Sequence, residues 1–271
     1  MKNTDKSNFL SYLNLYSNRV SDLLEKIAIL PNKKKQLVTL FTPNPEQIVL
    51  AQNNKSFAKV LCQADYLVPD GIGLVVASRL FSLVGRGDKI KERIPGVDLV
   101  KKILSQAKDK KATVMVIGGV SYNNLNYLQW QIRECPVDVG PKSASKVSGQ
   151  TLWWTSGYVN ALAPTTVEHT AVKDCIQKVL PDVVFIALGA PAQEQWISDN
   201  RAFLEKNGVQ LAMVVGGAFD MLLGKVQRAP AFMRTIGLEW LYRLIQEPWR
   251  WRRQLSLITF IKLVLRDLVG L

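Results

Sequence analysis

Short apolar runs rich in β-branched residues alternate along the chain with longer segments whose apolar positions recur at helical spacing. Near-continuous hydrophobicity over so few residues is typical of strands buried on both faces of a parallel sheet. The pattern predicts six strands, at Leu37–Phe41, Tyr66–Val68, Thr113–Ile117, Val137–Val139, Val183–Leu188 and Leu211–Val215. It predicts helices at Pro45–Ala64, Gly71–Ser82, Val97–Lys108, Asn123–Arg133, Val167–Val179 and Glu194–Lys206. The alternation favours an α/β fold, a Rossmann-like layered domain with a mostly parallel sheet.

The chain divides into three parts by composition. Residues 1–35 are polar and lysine-bearing, and we predict an N-terminal helical or polar extension. Residues 36–224 carry the strand pattern and form the predicted core, whereas 225–271 turn to Arg, Trp, Leu and Ile and predict a helical C-terminal appendage. The stretch Gly140–Pro164 is rich in Gly, Ser, Thr and Pro, and we expect a long loop or an insertion there.

Charge is the unusual bulk property. With 35 Lys and Arg against 22 Asp and Glu, the net charge is +13 and the isoelectric point is near 9.7. Such a balance suggests an anionic partner: nucleic acid, acidic lipid or a phosphorylated substrate. The most apolar run, Leu255–Leu265, is interrupted by Lys262 and is shorter than the roughly 20 residues that a membrane-spanning helix needs. The N-terminus lacks the apolar core of a signal peptide.

Metal and disulfide chemistry are not indicated. The three cysteines, Cys62, Cys135 and Cys175, are far apart and show no CxxC spacing, so reduced thiols in the cytoplasm are expected. The single histidine, His169, lies in a polar stretch. There is no DxD triplet, the usual acidic device for a metal-bound nucleotide diphosphate, so no metal and no cofactor is expected. A leaving group would then be stabilised by cations or helix N-termini, with Arg79, Arg86 and Arg93 as candidates.

Turn residues follow five of the six predicted strands, where open parallel sheets bind ligands. For any one cluster, a simple turn is about as good an explanation as a ligand site. Five clusters on one edge of the sheet, however, predict the rim of a cleft. The clusters are Thr42–Asn44, Pro69–Gly71, Gly118–Gly119, Gly189–Glu194 and Gly216–Asp220.

Two carboxylates in these clusters have alternative roles. Asp70 could act as a general base toward an acceptor hydroxyl, or it could cap the helix that begins near Gly71. Asp220 has the same ambiguity. Backbone N–H groups at Gly118 and Gly119 could approach a diphosphate, although a tight turn is the better interpretation without a GxGxxG or GxxxxGK[ST] motif.

The appendage combines basic, aromatic and aliphatic residues. Lys225–Arg253 holds seven basic and two acidic residues, and Trp240, Trp249 and Trp251 are interspersed among the arginines. This composition favours an interfacial element on an anionic membrane, while a helix pair packed on the core is the alternative. The spacing of Arg243, Arg250 and Arg253 fits one helical face, although Pro248 predicts a new helix start.

The ordered clusters resemble the WecG/TagA/CpsF glycosyltransferases, also called glycosyltransferase family 26. The motifs that carry the resemblance run in family order over about 210 residues, which is more specific than any one motif. They are T-P-N (42–44), P-D-G-I-G (69–73), R-I-P-G-V-D-L (93–99), I-G-G (117–119), G-Y (157–158), P-D-V-V (181–184), L-G-A-P-A-Q-E (188–194), V-G-G-A-F-D (215–220), R-A-P (228–230), L-E-W-L-Y-R-L (238–244) and E-P-W-R (247–250).

The resemblance implies an inverting, metal-independent transferase acting at the inner face of the cell membrane. It implies a UDP-sugar donor of the N-acetylmannosamine type or its uronic acid, and an acceptor that is a polyprenyl-diphosphate-linked sugar in the synthesis of a cell-surface polymer. Asp70 would be the catalytic base, and Arg243, Arg250 and Arg253 would meet the lipid diphosphate. Substrate-binding positions would be Thr42, Asn44, Gly71, Arg93, Gly118, Gly119, Gly189, Gln193, Glu194, Gly217 and Asp220.

Two departures from the family pattern affect donor choice: Ala192 stands where P-K-Q-E has lysine, and the Gly140–Pro164 stretch is longer than usual. Competing hypotheses are a nucleotide-binding oxidoreductase, a basic nucleic-acid-binding protein and a catalytically silent membrane scaffold. We expect no nucleic-acid partner and leave open whether the chain forms homo-oligomers. The hypothesis requires Asp70 and Gln193 to face one nucleotide-sugar cavity.

Overall fold

The computed structural model describes residues 9–29, 31, 36–119, 126–127, 130–135, 151–248 and 251–269. The chain forms two compact units. The first contains the described parts of 1–23, 42–95 and 227–271, and the second contains those of 24–41 and 96–226. The three-part division made from composition stays a prediction.

The second unit is built on a parallel sheet. Its strands lie side by side in the order β1-β8-β7-β3-β6-β5-β4. The first six strands in this order are all parallel to one another, and only the last pair described, β5 and β4, is antiparallel. The predicted α/β, mostly parallel fold is thereby confirmed. The strand bounds are β1 Val38–Phe41, β3 Val114–Gly118, β4 Asn126–Tyr127, β5 Trp130–Glu134, β6 Thr151–Thr155, β7 Val183–Ala187 and β8 Leu211–Val214.

The central strands form the core of this unit. Val114–Ile117 of β3 and Val183–Ile186 of β7 are fully buried, as the continuous apolar runs predicted. Helix α5 packs against α8, α6 against β6, and α7 against β7 and β8. The helix bounds are α5 Gly96–Asp109, α6 Thr166–Val179, α7 Ala192–Lys206 and α8 Ala218–Leu222.

The first unit is mainly helical. The short strand β2, Tyr66–Leu67, forms a parallel bridge with Leu15. The C-terminal helix α11 packs against α2 and α4, and the ring of Phe9 lies edge-on against both Phe81 of α4 and Phe260 of α11. The helix bounds are α2 Pro45–Asn53, α3 Lys55–Cys62, α4 Ile72–Leu83, α9 Ala231–Thr235, α10 Glu239–Gln246 and α11 Trp251–Val269, while α1, Val20–Lys26, leads from the first unit into the second.

One predicted helix is wrong. The segment Asn123–Arg133 includes β4 and the first four residues of β5, in which Trp130 and Ile132 are buried while Gln131 is exposed. Leu125, Leu128 and Ile132 have helical spacing, but parallel pairing of β5 with β6 imposes a two-residue alternation instead. The tertiary sheet therefore overrides the local pattern.

Two other element predictions differ from the structure. Thr151–Thr155, expected in a loop, is the largely buried strand β6 between β3 and β5, whereas 140–150 and the predicted strand at 137–139 lie outside the described residues. The helix predicted at Pro45–Ala64 is two helices. Asn54 ends α2 and also caps α3, since its side chain accepts from the Phe57 N–H.

No helix in the described part of the chain is both long and apolar enough to cross a bilayer.

Gly118 at the end of β3 gives a test of packing beside the sheet edge. Its φ is +94°, and an added Cβ would lie 2.7 Å from Leu188 Cδ2 and 2.8 Å from the Ala187 carbonyl oxygen. We expect Gly118→Ala to lower the free energy of unfolding by about 3 kcal/mol, from left-handed strain and overpacking combined. Urea unfolding measures this loss.

The matched control is Gly208→Ala, because Gly208 has φ +80° but nothing within 4 Å of an added Cβ. It should lose only about 1 kcal/mol, from the backbone conformation alone. Equal losses in the two variants would contradict the steric account.

Candidate active site

The T-P-N and P-D-G motifs meet in the first unit. The backbone N–H of Asp70 donates to the Pro43 carbonyl over 2.9 Å. Gly71, with φ +99° and ψ 144°, is the N-cap residue of α4, a conformation that residues with a Cβ rarely adopt. Asp70 therefore precedes the cap position instead of occupying it, and the capping alternative for this half-buried carboxylate is wrong.

The second glycine of P-D-G-I-G serves close packing. A Cβ on Gly73 would lie 3.0 Å from Pro45 Cγ of α2 and 3.7 Å from Phe260 of α11. The start of α4, immediately after Asp70, is thus held tightly between two helices of the same unit. Backbone conformation at Gly71 and close packing at Gly73 therefore explain the two glycines of the motif without a ligand.

Asn44 is the N-cap of α2. Its Oδ1 accepts from the Gln47 N–H over 3.0 Å, and Gln47 Oε1 accepts from the Asn44 N–H over 3.1 Å, completing a capping box. Thr42 is half-buried two residues before it. The cap fixes the orientation of the Asn44 side chain and uses only its carbonyl oxygen.

In the second unit, three of the predicted clusters follow the carboxyl ends of neighbouring parallel strands. Gly118–Gly119 follows β3, Gly189 follows β7 and Gly216–Gly217 follows β8. The Gly119 N–H donates to the Ala187 carbonyl over 3.1 Å, and the Gly118 carbonyl accepts from the Trp154 indole over 3.0 Å. Those two bonds join the end of β3 to β7 and β6, while residues 120–125, on which the tight-turn interpretation depends, lie outside the described residues.

Gln193 connects two of these turns. Its Oε1 accepts from the Gly216 N–H over 3.2 Å, and its Nε2 donates to Glu194 Oε1 over 2.9 Å. Gln193 is only 4% exposed and Glu194 is fully buried in the first turn of α7. The amide predicted to bind substrate therefore also ties the β7–α7 turn to the β8–α8 turn.

The remaining predicted positions of this unit line the same turns. Gly189 is exposed and left-handed, and its carbonyl accepts from the Gln193 N–H. Ala192, at the position where the family has lysine, is 7% exposed at the start of α7. Gly217 is the N-cap residue of α8, and half-buried Asp220 lies in its first turn, with its carbonyl accepting from the Val226 N–H.

A contact around Tyr158 was missed from sequence. The Trp196 indole N–H donates to the Tyr158 hydroxyl oxygen, which lies 3.0 Å from His169 Nδ1. The hydroxyl donates to Nδ1 in the neutral tautomer that carries its proton on Nε2. Burial, and then the charge of Lys173, lower the pKa of His169, and burial raises the pKa of Tyr158. The G-Y motif thus anchors the chain after β6 to α7.

The basic candidates of the first unit are distributed differently from the prediction. Arg93 Nη1 donates to the Arg234 carbonyl over 2.8 Å, and its Nη2 lies 3.0 Å from Glu239 Oε2. Arg243 lies 3.3 Å from Glu247, one turn further along. Both arginines are largely withdrawn from solvent, with side chains 18% and 22% exposed.

The other two lipid-diphosphate candidates are less defined. Arg250 lies outside the described residues, and only the backbone of Arg253 is described, within α11. Since α10 ends at Gln246 and α11 begins at Trp251, Arg243 and Arg253 belong to different helices. The single helical face suggested by their spacing is therefore wrong.

Within the described ranges, no group of three or more His, Cys, Asp and Glu side chains is arranged to hold a metal ion.

Comparison with known proteins identifies a matching family and similar relatives. A family model described as the glycosyl transferase WecG/TagA/CpsF family matches residues 11–271. An N-acetylglucosaminyldiphosphoundecaprenol N-acetyl-beta-D-mannosaminyltransferase of Bacillus subtilis is 32% identical over 269 residues, covering 97% of this chain and 92% of the relative. A protein of the same name from Bacillus spizizenii is 34% identical over 84% of this chain and 78% of the relative.

The bonds of Gln193 predict a structural effect that is separable from any ligand contact. Gln193→Met keeps the side-chain length but leaves the Gly216 N–H without its acceptor, so the free energy of unfolding should fall by about 1–3 kcal/mol. The control is Gln195→Met on the same helix, since the Gln195 side chain is exposed and its Nε2 donates to exposed Asp199. Chemical denaturation of both variants decides the matter, and equal stability of the two would refute the tie between the turns.

Proposed function

This chain belongs to the WecG/TagA/CpsF family of glycosyl transferases, and from this we propose that it transfers an N-acetylmannosamine-type sugar from a UDP-sugar to a polyprenyl-diphosphate-linked N-acetylglucosamine. The observation that carries the proposal is similarity over 97% of the chain to a relative whose name states this sugar and an undecaprenyl-diphosphate-linked N-acetylglucosamine. Neither the oxidoreductase nor the nucleic-acid hypothesis is favoured by that match.

Asp70 is the proposed general base. Its backbone is constrained on both sides, by the hydrogen bond to Pro43 and by the left-handed conformation of Gly71. In the proposed step, the carboxylate removes the proton of the acceptor hydroxyl. The hydroxyl oxygen bonds to the anomeric carbon, and the bond from that carbon to the UDP phosphate oxygen breaks with its electrons remaining on UDP. Attack opposite to the leaving group inverts the anomeric configuration.

Charge on the departing diphosphate requires cationic partners. We propose that arginine side chains, without a metal ion, stabilise the negative charge on the departing UDP. We propose separately that Arg243, with Arg250 and Arg253 further along the chain, binds the diphosphate of the lipid acceptor. Arginine suits this task because its planar guanidinium pairs with two phosphate oxygens at once. Support comes from the seven basic residues in 225–253 and from Arg243 on α10.

The C-terminal helix supports binding at a membrane surface. One side of α11 buries Phe260 and Val264. Apolar residues spaced three or four apart on its other side are at least half exposed, an arrangement that a helix lying in a lipid interface requires. They are Trp251, Leu255, Ile258, Ile261, Leu265 and Val269. We propose that this stripe enters the inner leaflet of the cell membrane, where a lipid-linked acceptor is found.

Replacing the base tests the mechanism. Asp70→Asn keeps size and fold but cannot accept the proton, so transfer should fall by at least about a thousand-fold, within the range expected for losing a general base. Release of UDP from UDP-N-acetylmannosamine in the presence of a short-chain lipid diphosphate acceptor gives the rate. Asp65→Asn, at an exposed aspartate of the same unit, is the control and should keep its rate. Full activity in Asp70→Asn would remove Asp70 as the base.

The apolar stripe gives a second test. Ile258→Glu combined with Ile261→Glu should reduce sedimentation with anionic vesicles by about ten-fold, because charged side chains cannot enter the acyl region. Thr259→Glu adds a charge at an exposed polar position of the same helix and is expected to retain most of the binding. Unchanged sedimentation of the double variant would contradict lipid contact through this stripe.

A further inference from the structure

Three separate sequence motifs converge on one carboxylate in the first unit. Glu239 of L-E-W lies 3.0 Å from Arg93 of R-I-P-G and 3.3 Å from Arg228 of R-A-P, each arginine meeting a different carboxylate oxygen. The three side chains are 14–18% exposed. We call Arg93, Arg228 and Glu239 the ionic clamp.

The clamp contacts two helices that contain no fully buried residue. Neither α9 nor α10 contains a buried residue, and large apolar side chains on them face solvent, with Phe232 66% and Ile245 68% exposed. The apolar burial that normally docks a helix is therefore small for this pair. Polar contacts take its place, because Arg93 bonds both the Arg234 carbonyl in the last turn of α9 and Glu239 in the first turn of α10.

The corner between these helices lies against the segment that carries the proposed base. Gly237 has φ +80°, and a Cβ added to it would lie 2.7–2.9 Å from three side-chain atoms of Ile72. Ile72 is the first residue of α4, two positions after Asp70. A shift of the corner would therefore change the packing against Ile72 at the start of α4.

We propose that Glu239 is a positioning residue: through Arg93 and Arg228 it fixes the α9–α10 corner against Ile72, and so sets the place of α10 and of Arg243 for transfer. This inference rests on the proposed function for its consequence in catalysis. Its physical part, the docking of the corner by charge, stands on the contacts alone. In this arrangement Arg93 connects the two helices through the Arg234 carbonyl and the Glu239 carboxylate.

Glu239→Gln tests the clamp at a residue that has itself no assigned contact with substrate. The amide keeps the shape but removes the negative charge that faces two mostly buried guanidinium groups. Hydrogen exchange of backbone amides in 231–246 should accelerate by about ten-fold, while that of β3 and β7 stays unchanged. The rate of transfer at saturating donor should fall by about ten-fold with a raised KM for the lipid acceptor, and Glu239→Asp should restore part of both.

The matched control is Glu205→Gln, which breaks the exposed Arg201–Glu205 pair on α7 and should alter neither measurement. Faster exchange in 231–246 with slower transfer supports the proposal. Unchanged exchange overturns the clamp, and faster exchange with a normal rate and a normal acceptor KM overturns the positioning role. If the unmodified protein transfers no sugar, the proposed function fails, yet the exchange comparison still decides whether the clamp docks the corner.

Discussion

Parallel pairing of β1, β8, β7 and β3 is the constraint on which the second unit depends. These strands are in continuous register, from Val38 opposite Leu211 to Val114 opposite Val183, so their carboxyl ends all emerge at one edge. Each emerging chain must turn at once, and the turns are then close enough to bond to each other, as Gln193 bonds to Gly216. The position of the motifs at this edge therefore follows from strand direction alone, without reference to a ligand.

Several motif residues are explained by geometry. Gly71 and Gly118 adopt left-handed backbone conformations, while Gly73 and Gly237 lie against neighbouring side chains at distances that a Cβ would violate. Asn44 completes a capping box. Asp70 lies one residue before the N-cap of α4 and is half-buried beside these rigid elements.

The sequence predicted the fold class and most central elements because continuous apolar runs are specific for buried parallel strands. It failed at β5 and β6, where the deciding interaction is pairing between distant segments and the local signals were a helical spacing and a loop-like composition. Site residues after strands were predictable from strand direction. The roles of Arg228 and Glu239 were not, since an ion pair between residues 11 apart on two helices leaves no periodic trace in the sequence.

The ionic clamp is related to the exposure of apolar side chains on α9, α10 and α11. Unlike α11, which buries Phe260 and Val264, α9 and α10 contain no fully buried residue, so charges and hydrogen bonds contribute to their docking. Such contacts are directional, whereas apolar burial is tolerant of small displacements. An appendage docked through Glu239 can therefore be held in one orientation relative to Ile72 while its apolar residues stay available to the membrane. That combination is consistent with the proposed lipid-linked acceptor and with the proposed base, Asp70.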